Sequence, residues 1–175
     1  QSEAALFDLL KRTALEIFEA LFTLHSYGWF HGDIRPFNIV LDKNGNAKLI
    51  DFETANIFGD GKIYFFRGIF DKFCASEMIK INKRFHSFLP RWDYESLVYS
   101  IIYCTLDCVS CFEVFLSMES RDSFIKNSEN SSISIIRFCS KFLTLIQELK
   151  DRCPDEEFRS KILRELSSFE YAENT

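Results

Sequence analysis

The run WDYESLVYSIIY, Trp92 to Tyr103, limits the folds open to this chain more than any other stretch. Tyr94, Leu97, Val98, Ile101 and Ile102 recur at helical spacing, and the positions between them are hardly more polar. A helix that is apolar nearly all round has no face to offer water and must be enclosed by other elements. The pattern therefore predicts a buried central helix from Asp93 to about Cys108 with amphipathic partners around it. Three partners are legible. From Ala4 to about Tyr27, Leu6, Leu9, Leu10, Ala14, Ile17, Phe18, Leu21 and Leu24 form an apolar stripe, with Lys11, Arg12, Glu16 and Glu19 largely on other faces. Near the C-terminus one stripe runs from Ile135 through Phe142 to Leu149. Another runs from Phe158 through Ile162 and Leu166 to Phe169, after a Pro154-Asp155 start.

The remaining pattern is short and extended. Phe37 to Leu41 and Ala47 to Phe52 read as two strands joined through DKNGN, whose Asn44-Gly45 pair favours a tight hairpin turn. The expected fold class is therefore mainly α with a small β-hairpin, in one unit spanning residues 1–175. A hydrophobic content of 47%, with 20 phenylalanines against six glycines, supplies enough apolar side chain for one core. Residues 56 to about 91 read as irregular, punctuated by Gly59, Gly61, Gly68 and Pro90, and SRDSFIKNSENSS reads as a surface loop near 120–132.

A net charge of −5 argues against nucleic acid as a partner, because no broad cationic face offsets phosphate repulsion. The longest mainly apolar stretch, Leu97 to Leu106, falls short of the roughly 20 residues a bilayer span needs. QSEAALFDLLKR lacks the form of a signal peptide, so no membrane partner and an intracellular location, cytoplasmic or nuclear, are expected. The six cysteines are irregularly spaced and read as reduced, mostly buried thiols. Cys108 and Cys111 form a C-x-x-C without the two further ligands that structural zinc requires. His25 and His86 read as ordinary helix-end and loop residues, and the Asn130-Ser131-Ser132 sequon as idle inside a cell.

The polar residues of the hairpin region carry chemistry. His31, Asp33 and Asn38 lie before and within its first arm, and Asp51 ends the second, so the acidic groups gather at one end of a two-stranded ribbon. Phosphoryl transfer from a nucleotide needs a carboxylate to orient the attacking hydroxyl and take its proton, and magnesium to neutralise the phosphates. Magnesium prefers hard oxygen ligands. Asp33 as base, with Asn38 and Asp51 as metal ligands, supplies that set.

HGDIRPFN, His31 to Asn38, resembles the catalytic loop of the protein kinase superfamily, and Asp51-Phe52-Glu53 resembles its D-F-G metal-binding motif. Ala75-Ser76-Glu77 stands where the family has A-P-E, closing an activation-like segment over 54–77. WDYESLVYSIIY and RCPDEEFRSKILREL resemble the central and final helices of casein-kinase-like and fungal-type kinases. The resemblance covers nearly the whole chain, but only as the helical C-terminal lobe. It implies that Asp33, Arg35 and Asn38 are catalytic, with Arg35 where many Ser/Thr kinases have a phosphate-contacting lysine. It also implies that Ile39, Val40 and Leu41 include the residues packing beneath the adenine of ATP, and that Asn38 and Asp51 hold Mg. His31, Asp93 and Glu77 would be structural supports, Asp93 buttressing the catalytic loop and Glu77 pairing with Arg152 or Arg159.

Two departures shape the expectation. Gly32 replaces the arginine of H-R-D that pairs with a phosphorylated activation loop, so control by such a phosphate is not expected. Glu53 replaces the D-F-G glycine and restricts the backbone beside Asp51. Nothing before His31 offers a Gly-rich loop or a strand lysine, and the chain opens on Gln rather than Met, so a missing N-terminal lobe or a partner chain is expected to complete the clamp. The leading reading is ATP- and Mg-dependent transfer to Ser/Thr hydroxyls of a protein substrate. A pseudokinase or truncated kinase acting as a binding module, and a small-molecule phosphotransferase of choline- or aminoglycoside-kinase style, are the alternatives.

Overall fold

The computed structural model describes residues 2–59, 64–65, 73–80, 84–85, 87–105, 121, 123, 126–128 and 130–172. Helix α1, Glu3–Ser26, begins where the Ser2 hydroxyl accepts a hydrogen bond from the Ala5 N–H at 3.1 Å, satisfying one of the open donors of the first turn. Its stripe of Phe7, Leu10, Ala14, Ile17, Phe18 and Leu21 is buried against α3, Pro90–Thr105, and α4, Ser134–Gln147. Helix α3 is enclosed as its sequence requires: Trp92, Asp93, Tyr94 and every residue from Ser96 to Ile102 are buried. It starts three residues earlier than the pattern predicts, because Pro90, which lacks an N–H, opens the first turn where no intrahelical donor is needed, and the predicted end near Cys108 lies outside the described residues.

Helix α5, Glu156–Ser167, closes the bundle by burying Phe158, Ile162 and Leu166. The Asp155 carboxylate caps it, accepting from the Phe158 N–H at 2.8 Å, while Glu156 and Glu157 place negative charge at the positive end of the helix dipole. At the other end, Lys11 Nζ donates to the carbonyls of Ser167 and Phe169 at 2.8 and 2.6 Å, tying α5 to α1. Asp155→Ala is expected to cost about 1 kcal/mol of unfolding free energy. A urea titration checks this, and an unchanged midpoint would show that the cap contributes nothing.

Three antiparallel two-stranded ribbons stand beside the helices among the described residues: β1, Trp29–Phe30, with β4, Asn56–Ile57; β2, Ile39–Leu41, with β3, Ala47–Leu49; and β5, Tyr64–Phe65, with β6, Arg84–Phe85. The hairpin β2–β3 pairs Ile39 with Leu49 and Leu41 with Ala47. Its turn is built on Asp42, whose Oδ1 accepts from the N–H groups of Asn44 and Asn46 at 2.8 and 2.9 Å, with Gly45 at φ 81°. Glu16 Oε2 accepts from the Ala47 N–H at 2.5 Å and seats the hairpin on α1.

Both hairpin arms are shorter than their apolar runs. Pro36–Asn38 form a 3₁₀ turn that takes Phe37 out of the first arm, and Asp51, at φ 58°, lies in the left-handed region beyond the second. The stretch read as irregular over 56–91 contains β4, β5, β6 and a short helix α2, Ser76–Lys80. Two-residue bridges are too short to carry a period-2 signal.

The surface-loop reading of 120–132 fails at Arg121, which is fully buried. Its guanidinium lies 4.3 Å from the centroid of the Tyr99 ring and donates to the Cys74 carbonyl and, at 3.2 Å, to Ser76 Oγ. Residues 126–128 are helical and Ser128 is buried. The cysteines are less buried than expected: Cys74 and Cys139 are buried, but Cys104 and Cys153 are exposed, all four as free thiols. Cys104 lies in the last turn of α3 and Cys153 in the turn before α5. Cys108, Cys111 and His86 lie outside the described residues. Among the described residues no helix is long and apolar enough to cross a membrane.

Candidate active site

The loop from His31 to Asn38 leaves β1 and is held from below by α3. Asp93, fully buried in the first turn of that helix, accepts the His31 N–H on Oδ2 at 2.9 Å and the Gly32 N–H on Oδ1 at 3.0 Å. Its third partner is His25 Nε2, 2.8 Å from Oδ2. Burial alone would push the Asp93 carboxyl up, but the hydrogen bond and electrostatic attraction of His25, with those of His31, outweigh it and hold the group below its usual range. Asp93 is therefore ionised, and His25 donates to it from Nε2. The other ring nitrogen of His25 lies 3.1 Å from the Tyr94 hydroxyl, whose acidity is suppressed first by burial and then by Asp93. Tyr94 keeps its proton.

His31 performs a second tie. Its Nδ1 accepts the Asp33 N–H at 3.1 Å and its Nε2 faces the Ile50 carbonyl at 3.1 Å, so the Nε2–H tautomer satisfies both. The ring thus joins the residue bearing one carboxylate to the residue just before the other, Asp51. Two further contacts secure the same junction: the Phe52 ring lies edge-on to His31 at 5.0 Å, and Thr54 Oγ1 donates to the His31 carbonyl at 2.8 Å. Gly32 sits at φ 85°, where a Cβ would meet the Thr54 carbonyl oxygen at 3.3 Å and the Phe30 ring at 3.4 Å. A side chain here would be strained by the backbone angle and would press on the Thr54 carbonyl and the Phe30 ring, so glycine suits the position.

Asn38 is almost completely buried and gives both Nδ2 hydrogens to Asp33, one to the backbone carbonyl at 2.8 Å and one to Oδ2 at 3.1 Å. That fixes the amide orientation and leaves Oδ1 as the atom able to face a cation. The Asp33 carboxylate also meets Arg35 Nε at 3.4 Å, and the Arg35 guanidinium lies 5.9 Å from the centroid of the exposed Phe37 ring. Asp51 is exposed, with Oδ1 accepting the Glu53 N–H at 3.3 Å. The left-handed residue of this turn is Asp51, so Glu53 takes an ordinary backbone conformation and its side chain carries no left-handed strain. The Asn38 amide oxygen and the Asp51 carboxylate, on two turns tied by the Ile50 N–H bond to the Asn38 carbonyl at 3.0 Å, are hard donors of the kind magnesium takes.

Ile39 is partly buried against the main core, while Val40 and Leu41 are exposed. Ile50 and Phe52 are exposed beside them. Between α1 and the hairpin a cavity of about 630 Å³ opens, with Leu24, Leu49 and Phe52 in its wall.

Glu77 meets neither expected arginine. Its Oε2 accepts from Arg91 Nη2 and, at 2.9 Å, from Trp92 Nε1. Arg159 is committed to Glu19 through two hydrogen bonds of 2.7 and 2.8 Å, and Arg152 to Asp155 at 3.3 Å. Arg91 stands in the first turn of α3, next to Trp92, which donates to the same Glu77 oxygen.

His25 and Arg91 are the residues that sequence reasoning missed. His25 reads as a helix-end residue, yet it continues the buried Ile17–Leu21 row at the next i+4 position. A polar side chain on a buried row must have a partner, and that is the signal that could have found it. For Arg91 no local signal distinguishes it from Arg152 or Arg159.

Against known proteins, the model of the protein kinase domain matches residues 4–160. Serine/threonine-protein kinase ppk6 of Schizosaccharomyces pombe is 33% identical over 93 residues, covering 53% of this chain and 12% of that protein. Serine/threonine-protein kinase PKH1 of Saccharomyces cerevisiae is 48% identical over 59 residues, 30% of this chain and 8% of that protein. Glycogen synthase kinase-3 homolog YGK3 of the same yeast is 26% identical over 171 residues, 93% of this chain and 40% of that protein. The chain thus spans less than half the length of these relatives. The family match runs unbroken from α1 through the aspartate-bearing loop and the central helix into α5, and with it this chain belongs to the protein kinase family.

Proposed function

We propose that this chain is the C-terminal lobe of a protein kinase that transfers the γ-phosphoryl group of ATP to Ser/Thr hydroxyls of a protein. The observation that carries this reading is the double hydrogen bond from Asn38 to Asp33, which holds one carboxylate oxygen in place and leaves the group poised to accept a proton. In the proposed reaction the acceptor hydroxyl donates to the Asp33 carboxylate as its oxygen attacks the γ-phosphorus; the bond from that phosphorus to the β,γ-bridging oxygen breaks, ADP leaves with the bonding pair, and the proton passes to Asp33. Arg35, beside Asp33, meets charge on the transferred phosphoryl group. Asn38 Oδ1 and the Asp51 carboxylate would hold the magnesium ion, which when bound neutralises charge on the phosphates.

Val40, Leu41, Ile50 and Phe52 support the reading that a second lobe covers the site. Each is an exposed apolar side chain on or next to the hairpin, and together with the neighbouring cavity they offer a nucleotide's base and a covering lobe an apolar seat. The polar contacts that hold the site come from α1, α3 and the loops, so it does not depend on that lobe for its own shape.

The test is transfer from γ-labelled ATP with magnesium by the full-length protein, offered dephosphorylated casein and, separately, choline. Label on casein Ser and Thr is the expected result. Magnesium-dependent nucleotide binding without transfer would establish a binding module instead, and label on choline alone would establish a small-molecule phosphotransferase.

A further inference from the structure

The loop that carries Asp33 ends in a turn that treats two neighbouring side chains in opposite ways. Pro36 opens the 3₁₀ turn with its φ fixed by the ring, and the Asn38 N–H closes it on the Arg35 carbonyl at 3.0 Å. Asn38 is 3% exposed and committed to Asp33, while Phe37 is 61% exposed. A single exposed phenylalanine is ordinary on a protein surface. This one is joined directly to the residue that holds the proposed base, so the same turn sets its place relative to the Asp33 carboxylate.

That place can be bounded from the described contacts. Arg35 Nε lies 3.4 Å from Asp33 Oδ2, and the guanidinium carbon lies 5.9 Å from the centre of the Phe37 ring. The ring is therefore at most roughly 11 Å from the carboxylate, a span that an extended chain crosses in about three residues. An acceptor segment whose hydroxyl is held by Asp33 brings a side chain within three positions of that hydroxyl into reach of the ring. The ring neighbours Arg35 and not the inward-facing Asn38 amide that would hold metal.

The chemistry of this seat selects its occupant. Arg35 already faces the ring, so a second cation there is repelled. The charge of Arg35 is matched by Asp33, which an acidic side chain would also meet, so a carboxylate gains little. Burial remains favourable: a large apolar side chain laid on the ring removes apolar surface of both from water. The turn holds the Phe37 backbone, and a phenylalanine has only two side-chain torsions to fix, so little ordering entropy opposes the contact.

We infer that Phe37 is a specificity-determining residue for the acceptor: it seats a large apolar side chain, such as leucine, within three positions of the Ser or Thr that receives the phosphoryl group. This inference rests on the kinase reading above and adds to it a feature of the acceptor segment.

The experiment gives the full-length protein γ-labelled ATP, magnesium, dephosphorylated casein and, separately, a set of synthetic peptides. Each peptide has one serine in an alanine–glutamine background, with a leucine at one of the three positions on either side. For each enzyme, kcat/KM on a leucine peptide is divided by kcat/KM on the peptide without leucine, so a general change in activity cancels. Wild type is expected to favour at least one leucine position about tenfold, the low end of what one added apolar contact in a site gives. Phe37→Ala brings that ratio close to one, and Phe37→Leu, which keeps a large apolar side chain, retains most of it. Wild-type ratios near one at every position would overturn the inference, as would a Phe37→Ala ratio equal to that of wild type, or labelled casein with no labelled peptide. A wild type that labels neither casein nor any peptide would instead overturn the kinase reading, and this inference with it.

Discussion

Asp33→Asn is expected to lower phosphoryl transfer to protein by about 10²–10⁴-fold, the usual contribution of a positioned general base. Asparagine has nearly the shape of aspartate, so the loop keeps its path. One of its side-chain atoms still meets Asn38 Nδ2 and Arg35, now as a neutral amide oxygen where the wild type has Asp33 Oδ2. What disappears is the capacity to accept the proton of the attacking hydroxyl, together with the negative charge that orients it. The effect should fall on kcat, with magnesium-dependent ATP binding retained, and the two are separated by steady-state kinetics beside a nucleotide-induced melting shift. Equal kcat in the variant and wild type would remove Asp33 from the chemistry. Loss of ATP binding in step with kcat would show that Asp33 serves the nucleotide instead.

Asp93→Ala is expected to destabilise the protein by about 3–5 kcal/mol, the range found when one partner of a buried charged network is removed. The alanine leaves three donors without their acceptor, the buried His31 N–H and His25 Nε2–H and the part-buried Gly32 N–H. Asp93→Asn should cost less, because an amide oxygen still accepts one or two of them while its NH₂ group opposes the rest. Urea unfolding of both variants checks the order, and a loss below about 1 kcal/mol for alanine would contradict the buried-network account. The same carboxyl gives a pH dependence. Its folded-state pKa lies below the unfolded one, so its contribution is fully present above the unfolded value and is lost as pH falls through the folded value. The acid limb of the wild-type stability curve should therefore flatten in Asp93→Asn.

The way these residues meet shows what could be read in advance. The pairing of β2 with β3 and the contact of Asn38 with Asp33 are legible because their spacing is local: a hairpin fixes which ends come together. The central helix is legible because a stretch apolar on every face has one stable environment. His25 and Asp93 are 68 positions apart, and nothing in either neighbourhood names the other. Their hydrogen bond exists only because α1 ends where α3 begins. Arg121 shows the same limit from the opposite side. Its polar surroundings read as solvent-facing, but the Tyr99 ring, the Cys74 carbonyl and Ser76 supply a buried cation with partners that no window of sequence contains.

By itself, the sequence determined the helices that form the core and the loop that carries the acid and amide, because each depends on periodicity or spacing within a short stretch, while the family entered through the likeness of its motifs to those of known kinases. The tertiary structure decided how those residues are held. It put His25 rather than solvent against Asp93, gave Glu77 to Arg91 rather than Arg152 or Arg159, and placed the left-handed backbone at Asp51 rather than at Glu53. Hydrogen-bond partners distant in sequence are chosen by how helices pack, and a carboxylate takes the donor that packing brings within about 3 Å, not the one a motif suggests.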